Sequence, residues 1–80
     1  MASNFPTIRQ GCSGSPASLA IQIMLFDLGY IKDKAYLDAD YGSYSAARIK
    51  EFQKKHGLTQ DGIVGPKTWP VLIREWWCVK

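Results

Sequence analysis

Two segments of this chain repeat each other, and the repeat limits what it can fold into. Set side by side, "LDADYGSYSAARI" and "QDGIVGPKTWPVL" align Asp38 with Asp61, Gly42 with Gly65, Ser45 with Thr68 and Ile49 with Leu72, at a constant spacing of 23 residues. In each copy the aspartate folds a turn through its side chain, the glycine supplies a positive φ, and Ser or Thr caps the helix that follows. The chain has 80 residues, too few for two cores, so both copies belong to one small domain.

The periodicity predicts three helices. The first runs through "SPASLAIQIMLFDLGY", with Ser15 as N-cap, Pro16 at the first helical position and Gly29 as a left-handed stop. Its apolar residues cover more than one face, as a helix touching two neighbours requires. The second runs through "SAARIKEFQKKHG", where Ser45 caps the start, Gly57 ends it and Ile49, Phe52 and His56 recur at helical spacing. The third is shorter, within "TWPVLIREWW", and starts near Thr68 because Pro70 must stand in a first turn. The expected fold is all-α: a three-helix bundle with two pseudo-repeated turn–helix units.

Composition narrows the function. With 46% hydrophobic and 21% charged residues the chain is a folded module, not a disordered tail. "LAIQIMLFDLGY" is interrupted by Gln22 and Asp27 and is too short to span a membrane. The first residues, "MASNFPTIRQ", do not read as a signal peptide. A net charge of +3 permits nucleic-acid binding, but Lys and Arg are scattered from Arg9 to Lys80. Cys12, Cys78 and the lone His56 are too few for a structural zinc site. The cysteines are left as a disulfide or as two unpaired thiols.

Catalytic constellations are lacking. "DGIVGPK" has neither the spacing of a phosphate loop nor a preceding strand, and Pro66 removes a donor. "DADYGS" alternates aspartates as a calcium loop does, but Ser43 and Ile49 stand where that loop needs glycine and glutamate. His56 beside the helix-ending Gly57 reads as half-buried packing, and no serine or cysteine is marked as its nucleophile. The carboxylates look solvated or turn-forming, and so short a chain has little room for a deep cleft. Neither a metal nor a cofactor is expected. Many tyrosines and tryptophans remain, rings with polar tips that suit a carbohydrate or peptide surface.

At the repeat these residues closely resemble the peptidoglycan-binding domain found beside the catalytic domains of bacterial and phage cell-wall hydrolases. That family's pattern is D-G-x-[FY]-G-x-x-T, a helix ending in F-Q-x-x-x-G-L, then D-G-x-[VF]-G-x-x-T-W-x-x-L. Asp38, Tyr41, Gly42, Ser45, Phe52, Gln53, Gly57, Leu58, Asp61, Gly62, Gly65, Thr68, Trp69 and Leu72 fall in register. Upstream, Gly11, Gly14, Gln22, Leu25, Leu28, Gly29 and Tyr30 match the family's L-x-x-G-x-x-G and L-Q-x-x-L-x-x-L-G-Y. The departures are Ala39 in place of glycine, Asp40 in place of an apolar residue, Arg48 in place of a small one, and an extra residue between Gly14 and Gln22.

The resemblance implies a non-catalytic domain, residues 1–80 with a core at 8–72 and a C-terminal extension at 73–80. It would bind peptidoglycan, through glycan strand or stem peptide, outside the cell at the wall, and target a linked amidase or endolysin. A monomer is expected, with no nucleic-acid or membrane partner. The expected groove residues are Tyr41, Tyr44, Arg48, Asp61, Lys67 and Trp69, at or beside the repeated turns, with Ile63 and Val64 packing inward. In this family's fold "TIRQ" packs close to the last helix, which implies a Cys12–Cys78 disulfide. The alternatives are a phage or bacterial interaction module that reuses the fold to bind a protein, and a small helical DNA binder.

Overall fold

The structure is a computed structural model and describes residues 6–79. Residues 1–5 and Lys80, within the expected 1–80 domain, lie outside the described residues. Among the described residues three α-helices follow one another: α1 (Pro16–Leu28), α2 (Ser43–Lys55) and α3 (Thr68–Val79), with a 3-10 turn at Lys34–Tyr36 between the first two. The bundle is all-α as expected. Among the described residues the only extended pairings are two isolated antiparallel bridges, Ile8 with Val64 and Ser13 with Asp40. No helix among the described residues is long and apolar enough to cross a membrane.

α1 begins and ends where its sequence indicates. The Ser15 hydroxyl accepts from the Ala17 N–H at 3.2 Å, Pro16 opens the first turn, and Gly29 closes the helix at φ 92°. Ser18, Ile21, Gln22 and Leu25, spaced three and four apart, are buried, and α1 packs against both α2 and α3. Ile49 and Phe52 of α2 and Leu72 of α3 complete the core without exposed surface. Tyr30 meets Phe52 edge to face at 5.7 Å, and His56, which ends α2, has its ring 4.4 Å from the same Phe52, the packing role its position suggested. The 3-10 turn has no counterpart in the sequence reading; Asp33 starts it by accepting from the Ala35 N–H at 2.9 Å.

The start of α2 differs from expectation. Gly42, not Ser45, is its N-cap and makes no side-chain bond, while Ser45 stands inside the helix facing the core. The positive φ of each repeat also moves. Gly42 is extended at φ −95°, and Gly65 is absent from the left-handed region; Ala39 at φ 65° and Gly62 at φ 72° occupy it instead. These two are again 23 residues apart, and each directly follows the turn aspartate. Asp38 Oδ1 accepts from Asp40 N–H and Asp61 Oδ1 from Ile63 N–H, both at 3.0 Å. Each side chain thus bridges its neighbour, and the bridged residue must take the left-handed bend.

The N-terminal segment stitches the two turns together. Ile8 and Val64 exchange backbone hydrogen bonds of 3.0 and 2.8 Å; Tyr41 donates to Cys12 carbonyl at 2.7 Å and accepts from Gly11 N–H at 2.9 Å. The Trp69 indole then donates to the Pro6 carbonyl at 2.7 Å, fixing this segment at the first turn of α3. α3 runs past the expected "TWPVLIREWW", and Trp76 returns it to α1 by donating to Asp27 Oδ2 at 2.8 Å.

This geometry corrects the expected disulfide. Cys12 and Cys78 are free thiols, one half-buried and one exposed. The segment does reach the last helix, but at its N-terminal end. Cys78 lies ten residues beyond Thr68, roughly 15 Å along the axis, while the Tyr41 bonds hold Cys12 at the first turn.

Ala39 gives a direct test of the turn geometry. A side chain in the left-handed region is strained, so Ala39→Gly is expected to raise unfolding free energy by about 1 kcal/mol. Gly62→Ala should lower it by more, because the added Cβ would also stand 3.1 Å from Lys50 Cε. Urea denaturation of both variants measures this, and a destabilised Ala39→Gly would contradict the strain.

Candidate functional site

Two buried glutamines position the repeated turns. Gln22 of α1 donates through Nε2 to Asp38 Oδ1, the Asp40 carbonyl and Ser45 Oγ at 3.2, 3.1 and 3.0 Å, and its Oε1 accepts from Ala39 N–H at 2.9 Å. Gln53 of α2 repeats the set on the second turn. Its Nε2 donates to Asp61 Oδ1, the Ile63 carbonyl and Thr68 Oγ1 at 3.0, 3.0 and 3.2 Å, and its Oε1 accepts from Gly62 N–H at 3.0 Å. Every partner on one turn is the equivalent of a partner on the other. Ser45 and Thr68 are therefore acceptors for the clamp amides rather than helix caps.

The clamped turns each wall a cleft. The first, about 210 Å³, is lined by Tyr36, Asp38, Asp40, Gly42, Ser43, Tyr44 and Ser45. The second, about 350 Å³, is lined by Thr59, Asp61, Ile63, Gly65, Pro66, Lys67 and Thr68, joined by Thr7 and Leu58. Seven lining positions correspond one to one at the 23-residue spacing. The repeat has therefore produced two copies of one concave surface. Their side chains differ: tyrosines and two carboxylates line the first, whereas Ile63 and Pro66 make the second more apolar and its lining carries both Lys67 and Asp61.

The six expected groove residues fall into four places. Tyr44 lines the first cleft; Asp61 and Lys67 line the second. Arg48 lies behind the first, its guanidinium 5.3 Å from the Tyr44 ring centre and Nη2 3.1 Å from Glu51. Tyr41 and Trp69 are in the core, 0% and 3% exposed, so neither ring forms a groove surface. The Tyr41 hydroxyl donates to the Gly62 carbonyl at 2.6 Å, tying the first turn to the second. Burial, with Asp61 and Cys12 adding to it, pushes this hydroxyl well above the ordinary tyrosine range. Of the inward-packing pair, Val64 is buried and Ile63 faces the cleft half-exposed. Among the described residues no group of three His, Cys, Asp or Glu side chains is placed to hold a metal ion.

Residues 15–72, which include both turns, both clamps, the first cleft and all of the second cleft's lining except Thr7, match the family described as "Putative peptidoglycan binding domain". The chain belongs to this peptidoglycan-binding domain family. A family defined by binding makes the domain a binding module rather than an enzyme. It is 36% identical over 61 residues to N-acetylmuramoyl-L-alanine amidase CwlL of Bacillus licheniformis, a match covering 76% of this chain and 17% of the amidase. Among solved structures it is similar to a peptidoglycan-binding protein of Clostridioides difficile crystallised with glutamine hydroxamate, at TM-score 0.81 and 43% identity over 94% of this chain and 45% of that one. The endolysin of Burkholderia phage AP3 matches at TM-score 0.74 and 40% identity, over 84% of this chain and 24% of the endolysin. The N-terminal domain of SleB matches at TM-score 0.82 and 29% identity, over 94% of this chain and 99% of that domain. The peptidoglycan-binding domain thus spans less than half the length of the first three.

Sequence reasoning named the turns but missed what holds them. Gln22 and Gln53 appeared as motif matches, and Gln22 as an interruption of an apolar run, without a role; the available signal was that a polar residue on a buried face must have partners. Tyr36 also stands outside the six, because the 3-10 turn that carries it was not expected.

The clamps and Tyr41 lead to two expectations. Gln53→Leu keeps the volume but strands the Gly62 N–H and the Ile63 carbonyl, and should lower stability by about 3 kcal/mol in urea denaturation. A loss under about 1 kcal/mol would mean that the clamp is dispensable. Tyr41 holds its proton in the fold above its ordinary value of 10.0. The unfolded chain therefore releases that proton first, so stability should be level below pH 10 and fall as pH rises beyond it. Tyr41→Phe should flatten the fall, and an unchanged alkaline slope would contradict the assignment.

Proposed function

We propose that the domain binds bacterial peptidoglycan without cleaving it and holds a linked wall hydrolase at its substrate. The family match over residues 15–72 carries this reading. The paired clefts support it, since a repeating polymer is well met by two concave surfaces in one rigid domain. Similarity to an amidase and an endolysin, each much longer than this chain, fits a targeting module: tethering turns each encounter with the wall into an intramolecular one and raises the effective concentration of the enzyme. The site of action is then the wall outside the cell, and the domain works as a monomer.

In this reading Tyr44, Asp61 and Lys67 meet the polymer, and Arg48 braces Tyr44. Tyr41 and Trp69 act by holding the turns in place.

Co-sedimentation with purified sacculi is the test. The domain should pellet with them and release neither reducing sugar nor free amine, and Tyr44→Ala combined with Lys67→Ala should weaken retention by about tenfold with the helical spectrum intact. Full retention by the double variant would remove these clefts from the binding surface, and a domain that stays in the supernatant would overturn the function.

A further inference from the structure

The two clefts share a backbone path but not a chemistry, and the first is unsuited to an anion. Its lining carries Asp38 and Asp40 and no lysine or arginine. A carboxylate ligand would meet like charge there with no cation on the wall.

We propose that this first cleft is a subsite for one uncharged pyranose ring, an N-acetylhexosamine of the glycan strand; the inference rests on the peptidoglycan-binding reading and assigns the sugar to this cleft. The shelf comes first. Tyr36 lies flat on Tyr44, ring centres 3.7 Å apart and planes within 13°, yet remains 40% exposed. Tyr44 covers one face, so the exposed area is the other face and the edge. Such a flat apolar surface with a hydroxyl at its tip suits the C–H face of a sugar. The stack also holds the Tyr36 ring in place before any ligand arrives, so binding costs it little further freedom.

The rim supplies the polar half. Oδ1 of Asp38 is engaged by Gln22 and by the Asp40 N–H, which orients the carboxylate, and the Asp40 carboxylate is exposed. Both are acceptors for sugar hydroxyls. On the opposite side Gly42 starts α2 with no side-chain cap, so the first-turn N–H groups stand at the cleft as donors beside the Ser43 hydroxyl. A ring bearing hydroxyls and an acetamido group satisfies both kinds of partner. An ammonium group would leave the donors unmet, and a carboxylate would leave the acceptors unmet. At about 210 Å³ the cleft is smaller than the roughly 300 Å³ at which drug-sized pockets begin, which suits a single ring.

The test is a titration of the isotopically labelled domain, followed by amide chemical shifts, with the neutral tetramer of N-acetylglucosamine and separately with a synthetic stem tetrapeptide. The tetramer should shift Tyr36 and Gly42 to Ser45, and the peptide should leave them unmoved. Tyr36→Ala should weaken tetramer binding by about tenfold, while Tyr36→Phe, which keeps the ring, should stay within about threefold. Tetramer shifts confined to Thr59 to Thr68, or tetramer affinity unchanged in Tyr36→Ala, would overturn the assignment. Sacculus sedimentation in parallel separates the two claims. If sacculi retain the domain but the tetramer leaves the first cleft silent, the sugar subsite fails and wall binding stands; shifts there without retention keep the subsite and overturn wall binding.

Discussion

Each turn of this domain hangs on one buried primary amide. Gln22 and Gln53 are 0% and 1% exposed, and each reaches from a core helix to a turn aspartate, two backbone groups and a hydroxyl. A carboxamide suits this task because it donates and accepts from one planar group. No apolar side chain could replace it without stranding buried backbone groups that cost more to leave unpaired than their pairing contributes. The turns are thereby part of the core's hydrogen bonding, although Asp38, Asp40 and Asp61 are exposed.

That anchoring explains how two clefts with one backbone path carry different side chains. The clamps engage main-chain atoms, the aspartate and the hydroxyl, and these equivalents are kept at both sites. Positions between them are released from structural duty. Asp40 stands opposite Ile63, Ser43 opposite Pro66 and Tyr44 opposite Lys67. The one compromise within the conserved frame is Ala39, which takes the left-handed bend that Gly62 takes without a side chain.

The outer elements tie the frame shut. The Ile8–Val64 bridge, the Tyr41–Cys12 pair and the Trp69–Pro6 bond join the chain's beginning to both turns. Trp76 fastens the far end of α3 to α1 through Asp27. These contacts do the work expected of a disulfide between the chain ends, and both thiols are free.

The sequence by itself determined the three helices, the caps of α1, the repeated turn and, through its motifs, the family. These are local properties: capping bonds, proline and glycine restrictions and helical periodicity act within a few residues, so they can be read from a string. What only the tertiary structure decided was which residues of each turn face outward. Tyr41 and Tyr44 are both tyrosines near one turn, yet one is in the core against Gly62 and the other lines a cleft, because helix α2 begins between them and rotates the second outward. Gln22 finds its partners 16 to 23 residues away, and Tyr36 becomes a surface only by stacking on Tyr44. Such contacts depend on how three helices pack around one core, and neither spacing nor residue type encodes that packing locally.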